Sequence, residues 1–513
     1  MIGAMRLVAL VLAFLLTGCA TMAPQPVRFR LLQINDVYKV EGLQSGRLGG
    51  MARIRTLREQ LESDGTPVFI VHAGDALYPS VMSKYLEARP MIDVMNLLDG
   101  DAELFDPALL ITFGNHEFDN KDVSVLPRRL AESKFPWVST NVLRCAPECD
   151  RRFPGVEETI VREVDGVRIG FFGLTLPLKK PDMQSTDVKE AARAAVANLR
   201  REGARVIVAI THQERVDDLA LVRDVPGIDF VIGGHNHMFM QTRIDGTWIT
   251  KADADAKSVV VYDVVVPPDG RARAVPLRVV LDETIPKDEQ VDARVQEWLV
   301  RLAQPEVLGP NENIATTKNL LEGVETAIRG RETALGNLIT DAVRARMGTD
   351  IAVINGGSIR INDDIVPGPI TKYDMEGIFN YKNKLVAFRV TGQQLLDMLR
   401  NSVSQADDAA GRFLQVSGME FSYRKVGEGY VVEPRDVEIG ERMLDVNATY
   451  TVASTDYLYL HGADEDEYML FATDATRPPK VSEDMPDFRT TVEEYIRARG
   501  KVDVNVEDRI VRR

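Results

Sequence analysis

Five short apolar runs, each ending on residues that bind metals or move protons, constrain this chain more than any other feature. Arg28–Ile34 runs into Asn35-Asp36-Val37-Tyr38, and Val68–Val71 into His72-Ala73-Gly74-Asp75. Leu109–Phe113 runs into Gly114-Asn115-His116-Glu117-Phe118-Asp119. Val206–Ile210 ends in Thr211-His212-Gln213, and Phe230–Ile232 in Gly233-Gly234-His235-Asn236-His237. Runs of this length read as buried strands. Amphipathic helical stretches, Arg53–Glu62 and Val188–Glu202, lie between them and carry no chemistry of their own. Residues 28–285 therefore predict an α/β or layered-sheet domain, whose strand ends share one rim. Of the six histidines in the chain, His72, His116, His212, His235 and His237 all fall in these tails. A core position would bury the acids and imidazoles of such tails without partners, which is costly, so the tails are expected to converge on metal.

The donor set is Asp36, Asp75, Asn115, His212, His235 and His237. Mixed carboxylate, amide and imidazole ligation suits zinc, manganese or iron. A bridging carboxylate can hold two divalent ions that clamp a phosphoryl group and activate water near neutral pH. The 513 residues allow two or three domains. Lys287–Gln304 reads as a charged amphipathic helix, which Pro305–Pro310 ends, so 286–312 is expected to be a helical connector. A second domain, 313–513, carries a helix around Ala334–Met347 and a strand Ile351–Ile354. That strand opens into Asn355-Gly356-Gly357-Ser358-Ile359-Arg360, where flexible backbone, an amide and a guanidinium can cradle an anion. The formal charge of −15 argues against a nucleic-acid polymer as partner.

At the N-terminus Arg6 precedes Leu7–Leu16, ten apolar residues, too few to span a bilayer and typical of a secretory leader. Leu16-Thr17-Gly18-Cys19 resembles the lipobox of bacterial lipoproteins. It predicts a signal peptide over 1–19, a lipidated Cys19 and a tether over 20–27. Ala20 follows the cysteine, so an outer-membrane anchor facing the periplasm is expected. Cys145 and Cys149 are close in sequence in an exported chain and read as a local disulfide. A metal knuckle would need further soft ligands that the chain lacks.

The ordered set N-D, A-G-D, G-N-H-E-F-D, T-H-Q and G-G-H-N-H resembles the calcineurin-like metallophosphoesterases. With the second domain, the chain resembles the 5′-nucleotidases, both the bacterial UDP-sugar hydrolases and the ecto-enzymes. The resemblance implies a β-sandwich flanked by helices, joined to a C-terminal α/β substrate-binding domain. It implies metal-dependent hydrolysis of nucleoside 5′-monophosphates by in-line attack of metal-bound hydroxide. Alternatives are a 2′,3′-cyclic nucleotide phosphodiesterase, a UDP-sugar pyrophosphatase, or a degenerate nucleotide-binding lipoprotein.

Carried over residue by residue, Asp36, Asp75 and His237 match the first metal, and Asp75, Asn115, His212 and His235 the second. His116 matches the transition-state histidine, and Asp119 its orienting partner. Arg329, Asn355 and Arg360 match residues that hold the phosphate and ribose side, and Tyr381 and Tyr457 the base clamp. Asp464 matches the ribose contact, with Asp466 as the alternative. Where the family has Asp-x-His, this chain has Asp36-Val37-Tyr38. Tyr38 can ligate, bond a metal-bound water or leave that position to solvent, and loss of an imidazole favours Mn²⁺ or Mg²⁺ over zinc. His72 has no ligand counterpart and is expected to pack.

Overall fold

The computed structural model describes residues 25–145, 148–464 and 466–513; the leader, Cys19 and tether residues 20–24 lie outside the described residues. In the first half of the chain two sheets stack face to face. One has the strand order Pro276–Val280, Ser258–Val266, Val27–Ile34, Val68–His72, Leu109–Ile111, Trp137–Val138, Val156–Glu157. The other runs Met240–Ile244, Thr247–Lys251, Phe230–Gly233, Val206–His212, Val167–Thr175, Thr159–Val164. Phe29, Leu31, Phe69, Val71 and Leu110 interdigitate with Phe171, Val208, Ile210, Phe230 and Ile232 to form the layer between the sheets. The alternate residues Leu32, Ile34, Ile70, Leu109 and Ile111 pack outward against helices Met51–Glu62 and Arg89–Met95. Helix Val188–Arg201 covers the other sheet through Ala192, Ala195 and Leu199. Burial on both faces explains why the strands read as continuous apolar runs rather than alternating ones.

Parallel pairing brings the strand ends level. Ile34 registers with His72, His72 with Ile111, and Thr211 with Gly233, so the tails leave their sheets side by side. Asn141 and Thr175 tie the sheets near this rim, since Asn141 Nδ2 donates to the Thr175 carbonyl and its Oδ1 accepts from the Thr175 N–H. Cys145 and Cys149 are disulfide-bonded between neighbouring strands of a small four-stranded sheet.

The helix expected as a connector packs against the core of the first domain. In Glu289–Leu302, Val291, Val295 and Leu302 join the cluster that holds Leu57 and Met91. Arg294 and Trp298 both bond to Asp93. An amphipathic helix buries its apolar stripe wherever a matching surface exists. That leaves the short segment after Leu302 to carry the chain across.

In the second domain, strands Leu385–Thr391, Thr449–Thr455, Ile351–Asn355 and Leu414–Ser417 form a sheet. Helix Ala334–Met347, capped by the Thr333 hydroxyl, packs on one face, and helix Gly392–Val403 on the other. The domains touch through polar pairs: Lys39–Asp363 at 3.0 Å, Lys84–Glu376 at 3.0 Å and Asn362 Nδ2–Asp255 Oδ2 at 3.1 Å.

One buried cation ties two tails together. Lys251 Nζ donates to the carbonyls of Gln213 (2.5 Å) and Gly234 (2.6 Å), next to His212 and His235, and pairs with buried Asp218 at 3.0 Å. Removing one partner of a buried pair leaves the other charge uncompensated, at a cost of roughly 3–5 kcal/mol. Lys251→Met is therefore expected to lower unfolding free energy by about that amount in urea titration. Adding Asp218→Asn should return part of the loss.

Candidate metal centre

The tails meet around Asp75. Its Oδ1 accepts the His116 backbone N–H at 2.9 Å, and its Oδ2 lies 3.3 Å from His212 Nε2 and 3.1 Å from the Tyr38 hydroxyl. Asp36 Oδ1 lies 3.4 Å from His237 Nε2 and 3.9 Å from His212 Nε2. Asn115 Oδ1 is 3.1 Å from His212 Nε2. The Tyr38 hydroxyl reaches Asp36 Oδ1 (3.3 Å) and His237 Nε2 (3.0 Å) as well as Asp75. Donors about 2.0–2.1 Å from one tetrahedral ion stand about 3.3–3.4 Å apart. These separations suit donors that share a cation, and the Tyr38 hydroxyl lies among them. Asp36, Asp75 and His212 are fully buried or nearly so.

Charge supports the same fit. Burial pushes the Asp36 and Asp75 carboxyls up, but His237 and His212 offset it and hold both below their ordinary value. Burial opposes charging of the imidazoles too, yet Asp75 raises His212 to about 9, and Glu325 with Asp36 raises His237 to about 10. The buried carboxylates therefore demand positive charge, which bound protons supply in the absence of metal and divalent cations would supply on displacing them.

The backbone is bent to bring these donors together. Asp36, Asp75, His235 and His237 all have positive φ (53°, 56°, 79° and 55°), a conformation that non-glycine residues hold only when their surroundings enforce it. Glycines make the room. A Cβ on Gly114 would fall 2.1 Å from Asp75 Oδ1, and one on Gly74 (φ +84°) 2.6 Å from His212 Nδ1.

His235 sits at the margin. Its ring lies edge-on to His212 with centroids 5.2 Å apart, its Nε2 faces Glu214 at 3.1 Å, and its N–H donates to Asp36 Oδ2. His116 Nδ1 pairs with Asp119 Oδ2 at 2.5 Å, and the other Asp119 oxygen accepts from Lys180 at 2.8 Å. His72 is buried at the end of its strand with neither ring nitrogen hydrogen-bonded, and burial lowers it to about 4, so it packs as a neutral ring.

The second domain faces this cluster with Arg329 and Arg360, both directed at Glu325, at 2.5 and 3.6 Å. Glu325 Oε2 also accepts from His237 Nδ1. The Arg360 guanidinium lies 5.9 Å from the Tyr381 ring centre, and the Tyr457 ring lies 6.1 Å from that of His461. Asn355 Nδ2 donates to Asp466 Oδ2 at 2.9 Å. Asp464 does not join this group. Its side chain is exposed, 3.6 Å from His461, because the turn after helix Asp456–His461 points it to solvent, whereas Asp466 turns inward.

Several residues that build the site have no role assigned by the sequence motifs. Glu117 is buried and accepts four main-chain N–H bonds, from Asp75 and Gly114 on one oxygen and Ala76 and Leu77 on the other. Asp255 accepts from the Tyr38 and Lys39 N–H groups. Glu214 and Glu325 pair with His235 and His237.

Residues 29–239 match the family of calcineurin-like phosphoesterases, and residues 313–473 match the 5′-nucleotidase C-terminal domain. The chain is 26% identical to the snake venom 5′-nucleotidase of Naja atra, over 94% of this chain and 98% of that one. It is 26% identical to the trifunctional nucleotide phosphoesterase YfkN of Bacillus subtilis over 90% of its own length, but spans only 34% of that longer protein. The solved 5′-nucleotidase precursor from Thermus thermophilus superposes with a TM-score of 0.74 at 25% identity, over 94% of this chain and 99% of that one.

The glycine at the convergence of the tails gives a direct test. Gly65 and Gly74 share positive φ (+81° and +84°), but a Cβ on Gly65 meets nothing within 4 Å. Gly65→Ala should cost only the left-handed penalty, about 1–2 kcal/mol. Gly74→Ala should also displace His212 and retain less metal after dialysis, measured by elemental analysis.

Proposed function

Because the chain belongs to the two-domain 5′-nucleotidase family of calcineurin-like phosphoesterases, we propose that it hydrolyses nucleoside 5′-monophosphates to nucleoside and phosphate. The observation that carries this reading is the meeting of Asp36, Asp75, Asn115, His212 and His237 beside the His116–Asp119 pair, with Arg329 and Arg360 of the second domain facing them across Glu325. Asp36, Tyr38, Asp75 and His237 would hold one divalent cation, and Asp75, Asn115, His212 and His235 a second, with Asp75 shared. Bound there, the ions would supply Lewis acidity and a nucleophilic water at neutral pH.

The residues of the chain do the rest. Asp119 takes His116 Nδ1 and so directs the other nitrogen, Nε2, to a phosphoryl oxygen. Lys180 on the far oxygen of Asp119 holds that carboxylate in place. Phosphoryl transfer proceeds mainly by positioning and charge stabilisation, so a fixed imidazole in a partly buried site contributes strongly. Arg329 and Arg360 match phosphate geometry with paired N–H groups. Buried Arg329 Nε makes no hydrogen bond, which leaves a donor for an anion. Tyr381 and Tyr457 would stack the base, and Asp466, beside Asn355, would take the ribose contact first assigned to Asp464. Export and anchoring through Cys19 in the outer membrane, facing the periplasm, complete the reading and rest on the leader sequence.

Phosphate release from AMP, UDP-glucose, 2′,3′-cyclic nucleotides and bis-p-nitrophenyl phosphate, each with Mn²⁺, Mg²⁺ and Zn²⁺, tests the substrate class. AMP should be cleaved fastest, and preference for a diester would overturn the assignment. His116→Ala should lower kcat on AMP by about 10²–10⁴ with metal content unchanged.

The Tyr38 oxygen makes the first position harder. Zinc should therefore support less activity than Mn²⁺ or Mg²⁺, and Tyr38→His should move the preference toward zinc. Identical metal profiles for the two proteins would remove Tyr38 from the donor set.

A further inference from the structure

Glu325 begins helix Glu325–Ile328 in the second domain, yet its side chain is 4% exposed and faces the first. One oxygen, Oε2, accepts from His237 Nδ1. The other, Oε1, lies 2.5 Å from Arg329 Nη2 and 3.6 Å from Arg360 Nη1. The backbone is held as tightly. The Glu325 N–H donates to Asn362 Oδ1 at 3.1 Å, and Asn362 Nδ2 donates to Asp255 Oδ2 of the first domain at 3.1 Å. Asp255 Oδ1 in turn accepts from the N–H groups of Tyr38 and Lys39. A single carboxylate thus spans the domain boundary and touches both a metal-facing imidazole and the two arginines.

We propose that Glu325 is a positioning residue that orients His237 across the domain interface and acts as an internal counter-ion for Arg329 and Arg360. This rests on the reading of His237 as a metal ligand. An imidazole that binds metal through one nitrogen is fixed in tautomer and orientation by a carboxylate on the other, and losing that carboxylate weakens metal binding about 10–100-fold. Here the carboxylate belongs to the other domain, so His237 is supported only when the two domains meet as they do in this structure. The arginine contacts add a second effect. An anionic ligand must compete with Glu325 for the guanidinium groups, so ligand entry and support of His237 draw on the same side chain.

The test uses the full-length, metal-loaded protein and its Glu325→Gln, Glu325→Ala and His237→Ala variants. Two quantities are read: the rate of metal loss to excess chelator, followed by a metallochromic dye, and the affinity for inorganic phosphate at saturating Mn²⁺. Glu325→Ala should release metal about 10–100-fold faster than the parent. Glu325→Gln keeps the side-chain shape and an acceptor for Nδ1–H, and should fall between. Both variants should bind phosphate several-fold more tightly, because the arginines lose their internal partner. A purely structural role would not speed metal loss and tighten phosphate binding together. If His237→Ala sheds metal quickly while both Glu325 variants match the parent, the positioning role is overturned and the ligand reading stands. If His237→Ala itself retains metal like the parent, the ligand reading fails and the proposal falls with it. Weaker phosphate binding in Glu325→Gln would overturn the counter-ion role.

Discussion

The site depends first on Glu117. Its carboxylate is buried and accepts four main-chain N–H groups, three from the Asp75 tail and one from Gly114. Burial, reinforced by Asp75, raises it to about 7, which shows how hard this position is on a charge. The hydrogen bonds offset that burden because a strand tail that turns sharply leaves N–H groups with no ladder partner, and a buried unpaired N–H is itself costly. Glu117 therefore satisfies the unpaired donors of one tail and links it to the next. Asp75 is fixed as a result, and every proposed ligand shell includes Asp75.

Around that anchor the protein accepts local strain for convergence. Four donors sit at positive φ, and the glycines beside them let main chains approach more closely than a Cβ would allow. Such geometry persists only where neighbours over-determine it. Lys251 supplies part of that determination from below by bonding the carbonyls beside His212 and His235. Asp255 supplies another part by holding the N–H groups of Tyr38 and Lys39, just past Asp36. Buried charges as well as apolar contacts brace the rim.

Much of this was legible in the sequence, and the exceptions share a cause. The five tails could be read because strand period and ligand chemistry both act locally, over a few residues. Parallel pairing then determined that tails far apart in sequence would be neighbours. Glu214, Lys251 and Glu325 could not be singled out, because a lone acid or lysine gains its role from a partner far along the chain. Asp464 and Asp466 show the limit at short range: both are acids in one turn, and only the backbone path decides which faces Asn355. The helix after Lys287 reads as a connector because prolines end it, and the pattern does not say which surface its Val291–Val295–Leu302 stripe covers.

Tyr38 is where these arguments meet. Tyr38 places a phenol oxygen in a site lined by Asp36, Asp75 and Glu325. Burial and the two aspartates push its hydroxyl well above the ordinary tyrosine value, so the ring stays protonated unless a cation stabilises its charged form. The same hydroxyl touches Asp36, Asp75 and His237 and so reports on their spacing. His237 is in turn held by Glu325 from the other domain. Tyr38 is therefore coupled, through His237, to a carboxylate that the second domain contributes. Tyr38 and Glu325 contact the same imidazole from its two nitrogens.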